Sequence, residues 1–215
     1  MSNVSQQQYR EILVSLTQGV LTITFNRPHK KNAMNLALVK EVMAVFSDIA
    51  DDTSVRAVVI CGSEGNFCAG GDISDMYSDA GSEQDKQQAI WNFNRSFGRM
   101  VAQVNQAPQV VITLLEGAVL GGGFGLVCVS DIAIAHQSAV FAMPETGVGV
   151  GPAQIAPFVV TRIGLTQARR LALLGERVGA AQSQALGIVH FVCESQEALQ
   201  AQLNEVLKQV QRGAP

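Results

Sequence analysis

The hydrophobic and polar positions alternate near the start of the chain. Over residues 20–26, Leu21, Ile23 and Phe25 fall on one side of an extended chain, and threonines fall on the other. This period of two is typical of a strand with one buried face. A second run at 10–16 precedes it across a short polar turn, so the two runs predict a β-hairpin.

Beyond the hairpin, apolar side chains recur alternately at helical and extended spacing. Asn35 predicts the N-cap of a helix that ends near residue 50. Further strands are predicted at 55–61, 110–115, 132–135, 140–142 and 189–192, and further helices at 82–106, 121–129, 154–163, 166–174, 180–187 and 196–210. Residues 62–81 have no regular period.

In the 82–106 helix, Ile90, Phe93, Phe97 and Met100 share a face, and we assign Trp91 to the core. This order predicts one α/β domain over residues 1–215, with helices that cover the strands.

The composition restricts the class of protein. A chain of 215 residues can bury one domain core. Its 47% hydrophobic content excludes disorder for the bulk of the chain. Its 15% charged content is below the average of about 25%, which indicates a surface partly covered by another subunit. The net charge of −3 gives no basic surface for nucleic acid or an anionic membrane. The uncharged stretch at 117–130 is too short to span a bilayer.

The four cysteines, Cys61, Cys68, Cys128 and Cys193, lack the spacing of zinc ligands. Residues 1–8 are polar and do not form a secretory signal. We therefore expect reduced thiols in a cytoplasmic protein, with no metal site.

Two segments that follow predicted strands carry groups suited to a ligand. The turn with Lys30 and Lys31 precedes a helix, where lysines and N-terminal amides can hold an anion. The alternative is a solvated turn. Residues 67–73 contain small residues that let backbone amides approach a ligand closely. Alternatively, Asp72 in this segment is a helix N-cap.

A third segment places three glycines, residues 121–123, at the start of a predicted helix. Glycines there cost backbone entropy. Their N–H groups, at the positive end of the helix dipole, would suit a developing oxyanion, whereas the alternative is close packing of the helix on the sheet. Downstream, Glu145 is the only charged residue between Asp131 and Arg162. It is either a helix-end cap or an acid/base with a raised pKa.

In this order, four motifs resemble the enoyl-CoA hydratase/isomerase (crotonase) family. They are NRPHKKNAMN at 26–35, CAGGDISDM at 68–76, GAVLGGGFGLVCVSDIAIA at 117–135 and FAMPETGVGVGP at 141–152. The resemblance covers about residues 10–212. It implies a fold of repeated ββα units with covering helices, an acyl-CoA substrate with no further cofactor, and assembly into trimers or hexamers. Members of the family usually continue with C-terminal helices, so we expect this extension to be short or missing.

The resemblance also implies site residues. The backbone amides of Ala69 and Gly122 would hold the thioester oxygen, and Glu145 would be the acid/base. Contacts with the substrate and coenzyme A are expected from Lys30, Lys31, Ala33, Cys68, Gly70, Gly71, Asp72, Gly121 and Gly125. His136 and His190 match no motif and are expected to be structural.

Position 125 departs from the pattern of two-glutamate hydratases, which carry a glutamate where this chain has Gly125. The motifs are closest to those of isohexenylglutaconyl- and methylglutaconyl-CoA hydratases, so we expect hydration of a branched glutaconyl thioester. The substrate's distal carboxylate would then replace the missing group, with Gln154 and Arg162 as candidates to bind it. Arg162 is alternatively a surface ion-pair partner. A Δ3,Δ2-enoyl-CoA isomerase, a 3-hydroxyisobutyryl-CoA-type hydrolase and a non-catalytic acyl-CoA binder are the alternatives.

Overall fold

The predicted hairpin is present in the computed structural model, which describes residues 8–76 and 81–213. Strand β1 (Ile12–Thr17) pairs antiparallel with β2 (Val20–Phe25). The three apolar side chains of β2 that alternate with threonines are completely buried. The hairpin was therefore predictable from the hydrophobic period alone.

The remaining elements follow in alternation. The helices are α1 (Leu36–Asp48), α2 (Ile73–Met76), α3 (Glu83–Asn105), α4 (Gly122–Val129), α5 (Ala156–Leu174), α6 (Ala180–Ala185) and α7 (Gln196–Arg212). The strands are β3 (Ala57–Gly62), β4 (Val110–Leu115), β5 (Ala118–Leu120), β6 (Ile132–His136), β7 (Val140–Ala142), β8 (Val178–Gly179) and β9 (Phe191–Cys193). Asn35 caps α1, as predicted, by accepting a hydrogen bond from the Leu38 N–H.

The strands form two sheets that are built from repeated units. The larger sheet has the order β1-β2-β3-β4-β6-β9, parallel after the first pair, and the smaller sheet has the order β5-β7-β8. Each of β4 and β6 is followed by a strand of the small sheet and then by a helix. After β3, Cys68 takes the second-strand position through a parallel bridge to Val119. These repeats confirm the predicted α/β fold of ββα units with covering helices.

Both faces of the larger sheet are covered. The main core lies between one face and helices α1, α3 and α4. On the other face, α7 packs Leu199, Leu203 and Val206 against Val59 and Ile112. The parallel strands β3, β4 and β6 are accordingly buried on both sides, whereas β1 exposes one face, including Leu13.

The core assignment of Trp91 in α3 was wrong. Trp91 is 53% exposed, whereas Phe93, Phe97 and Met100 are buried and Ile90, on the same face near the start of the helix, is 39% exposed. Trp91 precedes Phe93 by two residues, about 200° around a helix, so it points away from the core. Its ring instead lies 5.0 Å from the Arg95 guanidinium.

Other predicted boundaries also shift. The helices predicted at 154–163 and 166–174 both lie within α5, and the predicted break between them is present at Gly164, whose φ of +76° and ψ of 158° are not helical. His190 is exposed and lies outside β9. The irregular segment at 62–81 contains the short helix α2, and its residues 77–80 lie outside the described ranges. Within the described ranges, no helix is long and apolar enough to cross a bilayer, and all four cysteines are unpaired.

Candidate active site

Backbone hydrogen bonds bring the four sequence motifs together. The Met34 N–H donates to the Gly70 carbonyl at 2.7 Å, and the Leu120 N–H donates to the Cys68 carbonyl at 2.9 Å. The Gly121 N–H donates to Ala142 at 2.9 Å. The chain around residue 70 is therefore enclosed between the lysine turn on one side and the start of α4 on the other.

The three consecutive glycines are required by their neighbours. A Cβ on Gly121 would lie 3.1 Å from Oε1 of Glu145, and one on Gly122 would lie 3.0 Å from the Phe97 ring. Gly121 also has a φ of +50°, which disfavours other residues. The segment is therefore compatible with both interpretations given above. Close packing favours glycine, and the first N–H groups of α4, which have no acceptor within the helix, can bind an oxyanion.

Two backbone N–H groups near these glycines have no acceptor among the described residues. One belongs to Gly122 and the other to Gly71. Cys68 pairs with Val119, and a Cβ on Gly121 would lie 3.7 Å from the Gly70 Cα, so Gly71 and Gly122 each follow directly on a residue of this contact. Gly71 is exposed and Gly122 is half-buried, so both positions are open to a ligand.

Ala69, the expected partner of Gly122, has its amide already occupied. The Ala69 N–H donates to the Lys31 carbonyl at 3.0 Å. The Gly70 N–H contacts the Cys68 sulfur at 3.4 Å. The structure therefore contradicts the assignment of the first amide to Ala69 and leaves the Gly71 N–H as the available donor of this segment.

Glu145 lies in a 3₁₀ helix, Pro144–Val148, directly after β7. Its Oε1 faces Gly121, whereas its Oε2 is buried and has no hydrogen-bond partner among the described residues. Burial raises the pKa of Glu145, and a hydrogen bond from its own backbone N–H only partly opposes this. Thr146 ties the 3₁₀ helix to α5 by donating to the Ala172 carbonyl at 2.9 Å. Glu145 thus combines a partly desolvated carboxyl with an oxygen that has no partner among the described residues, which favours the acid/base interpretation over that of a simple helix-end cap.

Asp72 is held within the protein. Its carboxylate lies 3.0 Å from the buried Arg27 guanidinium, which also lies 3.0 Å from Glu11. Burial alone would raise the pKa of Asp72, but hydrogen bonds from Ser74 and Asp75 and the Arg27 charge lower it. Asp72 therefore anchors the site and is not available as a ligand contact. Arg27 and Glu11, which complete this network, were missed by the sequence analysis, although Arg27 lies inside the first motif.

The residues expected to meet coenzyme A divide into exposed and enclosed groups. Lys30 and Lys31 are exposed, and the Lys30 ammonium lies 3.1 Å from the Ser74 hydroxyl. Ala33 is buried with both of its backbone groups hydrogen-bonded internally. Cys68 is completely buried, and burial raises the pKa of its thiol to about 12. Both lysines are accessible to a phosphate, although the Lys30 ammonium also lies 4.0 Å from the Asp72 carboxylate. Ala33 and Cys68 have structural roles.

Position 125 is closed to a ligand. A Cβ on Gly125 would lie 2.1 Å from Cγ2 of Ile155, so the expected contact at Gly125 is contradicted. Arg162 donates to the carbonyls of Ser130 and Ile188 at 3.0 Å each and forms no ion pair with a described residue. Its guanidinium is thereby occupied by backbone carbonyls. No cluster of three or more metal-ligating side chains occurs in the described part of the chain.

The sequence profile of a family described as "Enoyl-CoA hydratase/isomerase" matches residues 15–215. The chain belongs to this family. Two solved structures of similar fold agree with the assignment. An enoyl-CoA hydratase/isomerase from Marinobacter aquaeolei is 53% identical with a TM-score of 0.88, and the match covers 95% of this chain and 78% of that one. Pseudomonas aeruginosa AtuE is 51% identical with a TM-score of 0.90, and the match covers 96% and 79%.

Curated relatives of the family differ in the reactions their names state. Enoyl-CoA hydratase ACTT6 of Alternaria alternata is 29% identical over 92% of this chain, which spans only 63% of that protein's length. The 2,3-dehydroadipyl-CoA hydratase of Escherichia coli is 31% identical over 88% of this chain and 72% of its own length. A trans-2-decenoyl-[acyl-carrier-protein] isomerase of Streptococcus mutans is 28% identical over 96% and 78%. Membership in the family therefore leaves the reaction type open.

Proposed function

We propose that the protein hydrates a branched glutaconyl-type acyl-CoA thioester. The observation that carries this proposal is Glu145, a buried carboxylate with an unpartnered oxygen, facing the glycine segment from which the Gly122 amide projects. A second unpartnered amide, that of Gly71, lies in the neighbouring segment. A proton acceptor beside two amide donors is the arrangement needed to form and protonate a thioester enolate.

The proposed mechanism assigns separate roles to the amides and the carboxylate. When water adds at Cβ of the enoyl group, electron density moves to the thioester oxygen. The N–H groups of Gly71 and Gly122 stabilise that charge, and loss of one such donor costs about 10²–10³ in rate. Glu145 takes a proton from the attacking water and returns it to Cα, a role suited to a carboxyl whose pKa is raised. The phosphates of coenzyme A would meet Lys30 and Lys31.

The absence of a carboxyl at Gly125 supports a substrate that brings its own polar group. A branched glutaconyl chain carries a distal carboxylate, which would replace the second protein carboxylate of two-glutamate hydratases. The name of the relative from Escherichia coli also states a dicarboxylic acyl group. Assembly into trimers, expected from the resemblance, stays a prediction.

A second candidate reaction is double-bond isomerisation. It needs one base that removes a proton from Cα and returns it at Cγ, so the single carboxylate favours it. The relative from Streptococcus mutans is named as an isomerase. Both reactions form the same enolate and require the same two amides.

A panel of thioesters tests the proposal. The protein and its Glu145→Gln variant are incubated with 3-methylglutaconyl-CoA, isohexenylglutaconyl-CoA, crotonyl-CoA, a Δ3-enoyl-CoA and 3-hydroxyisobutyryl-CoA, and products are identified by mass and chromatography. We expect a gain of one water on the glutaconyl substrates and a loss of about 10²–10⁴ in turnover in the variant. Isomerised product without added water would establish the second candidate. Release of free coenzyme A from 3-hydroxyisobutyryl-CoA, or turnover unchanged in the variant, would refute the proposal.

A further inference from the structure

Two consecutive side chains after Glu145 fill hollows left by glycines on two different helices. A Cβ on Gly98 of α3 would lie 2.0 Å from Oε1 of Gln154, and a Cβ on Gly125 of α4 would lie 2.1 Å from Cγ2 of Ile155. Both distances are shorter than side-chain carbons adopt in proteins. The segment that leads from Glu145 into α5 is therefore seated against both helices at adjacent residues.

The side chains that fill the two hollows differ in flexibility. The atom facing Gly98 is the end of a flexible glutamine side chain, which can turn away. The atoms facing Gly125 belong to the branched part of Ile155, whose Cβ would itself lie 2.9 Å from the added carbon. A β-branched side chain has few alternative rotamers, and Ile155 is 2% exposed. Ile155 therefore occupies the space at position 125, and its displacement would cost free energy.

Glu145 and Ile155 face neighbouring positions at the start of α4. Gly121 is the N-cap of α4, and the Gly125 N–H donates to its carbonyl at 3.0 Å, so the two glycines lie one turn apart at the start of the helix. A Cβ on Gly121 would face Oε1 of Glu145, and a Cβ on Gly125 would face Ile155. A side chain carried by position 125 would therefore have to occupy the space that Ile155 fills, one turn along from the position that Glu145 faces.

We infer that Ile155 is a specificity-determining residue, which excludes a second protein acid/base from the position beside Glu145 and so selects thioesters that carry their own distal carboxylate. This inference rests on the proposed function. The apolar side chain of Ile155 supplies neither a proton acceptor nor a hydrogen bond for water on this side of the site. A substrate without a second carboxylate then has only Glu145 to handle both the water and the Cα proton.

Four proteins test the specificity role: the wild type, Ile155→Ala, Gly125→Glu and the double variant. The measured quantity is the ratio of kcat/KM for crotonyl-CoA hydration to that for 3-methylglutaconyl-CoA. We expect this ratio to rise at least about tenfold in the double variant, which has both the space and the carboxylate. Gly125→Glu alone should lower Tm by about 2–12 °C because the site is overpacked, with no gain in the ratio. An unchanged ratio in a folded double variant, or a Gly125→Glu variant as stable as the wild type, would overturn the inference.

A double-mutant cycle that measures Tm tests this inference separately from the proposed function. Gly125→Ala should lower Tm in the wild-type background and have a much smaller effect in the Ile155→Ala background, whether or not the protein is active. The matched control is Gly98→Ala, which the flexible Gln154 should accommodate with little change in Tm. Additive effects of Gly125→Ala and Ile155→Ala would show that Ile155 does not close this position. A wild type that is inactive on every thioester, with the coupling intact, would refute the proposed function and leave Ile155 a packing role only.

Discussion

Replacement of Arg27 by methionine is expected to destabilise the protein strongly. The Arg27 side chain is 6% exposed and lies 3.0 Å from both Asp72 and Glu11, which are 5% and 11% exposed. It also donates to the carbonyl of Ala33. Methionine matches its apolar stem but removes the buried cation shared by the two carboxylates, which keep only the more exposed Arg10, 3.3 Å from Glu11, and Lys30, 4.0 Å from Asp72.

The size of the effect follows from this burial. Removal of one partner from a buried ion pair costs about 3–5 kcal/mol in the free energy of unfolding, because an uncompensated charge stays in the interior. For a chain of this length, each 1 kcal/mol shifts Tm by about 2–4 °C, so Arg27→Met should lower Tm by about 6–20 °C. The matched control is Lys86→Met, which removes a half-exposed lysine 3.3 Å from Glu83 and should change stability by less than about 1 kcal/mol.

Urea unfolding followed by circular dichroism at pH 7 and at lower pH measures both variants. Because the pKa of Asp72 is held below its ordinary value of 3.8, its stabilisation is present above that pH and is lost as the pH falls through the folded-state value. Arg27→Met should therefore lose the Asp72 contribution to this acid dependence. A free energy of unfolding within 1 kcal/mol of the wild type at pH 7 would show that Arg27 does not hold the 26–35 turn against Asp72.

Three further predictions follow from burial. Because burial raises the pKa of Glu145 above 4.5, its ionisation opposes folding at higher pH, so Glu145→Gln should raise Tm at pH 7 while lowering turnover, and the gain should vanish near pH 4. An equal or lower Tm at pH 7 would contradict this. Phe97→Ala should cost about 3–5 kcal/mol, whereas Trp91→Ala on the exposed face of α3 should cost less than about 0.5 kcal/mol by urea unfolding, and similar costs would contradict the orientation of α3. The thiols of Cys68 and Cys128, whose pKa values burial raises to about 12, should resist iodoacetamide at pH 8 until the protein is unfolded, as peptide mass mapping would show; rapid labelling of the native protein would refute their burial.

Local pattern was sufficient for most of the fold. Alternation in β2, the Asn35 cap and the apolar stripe of α3 each depend on residues close in sequence, and each was predicted correctly in kind. The short strands β5 and β8 are not predicted by the local pattern. They exist through pairing with β7, which the local pattern does not encode.

Part of the candidate site was also predictable. Glu145 stood out as a lone charge in an apolar stretch, and the glycine triplet stood out at a helix start. The choice between Ala69 and Gly71 as amide donor was not predictable, because both lie in one run of small residues. It depends on the Lys31 carbonyl, which accepts from Ala69 and leaves Gly71 free.

The sequence by itself determined the α/β class, the order of the main elements and the identity of the carboxylate that can act as acid/base. Only the tertiary structure decided which polar groups face a ligand and which are consumed internally. It assigned Asp72 to the Arg27 network, occupied the Ala69 amide and placed Ile155 over Gly125. The physical reason is that periodicity and capping act between neighbours in the chain, whereas hydrogen-bond satisfaction and packing are settled by partners distant in sequence.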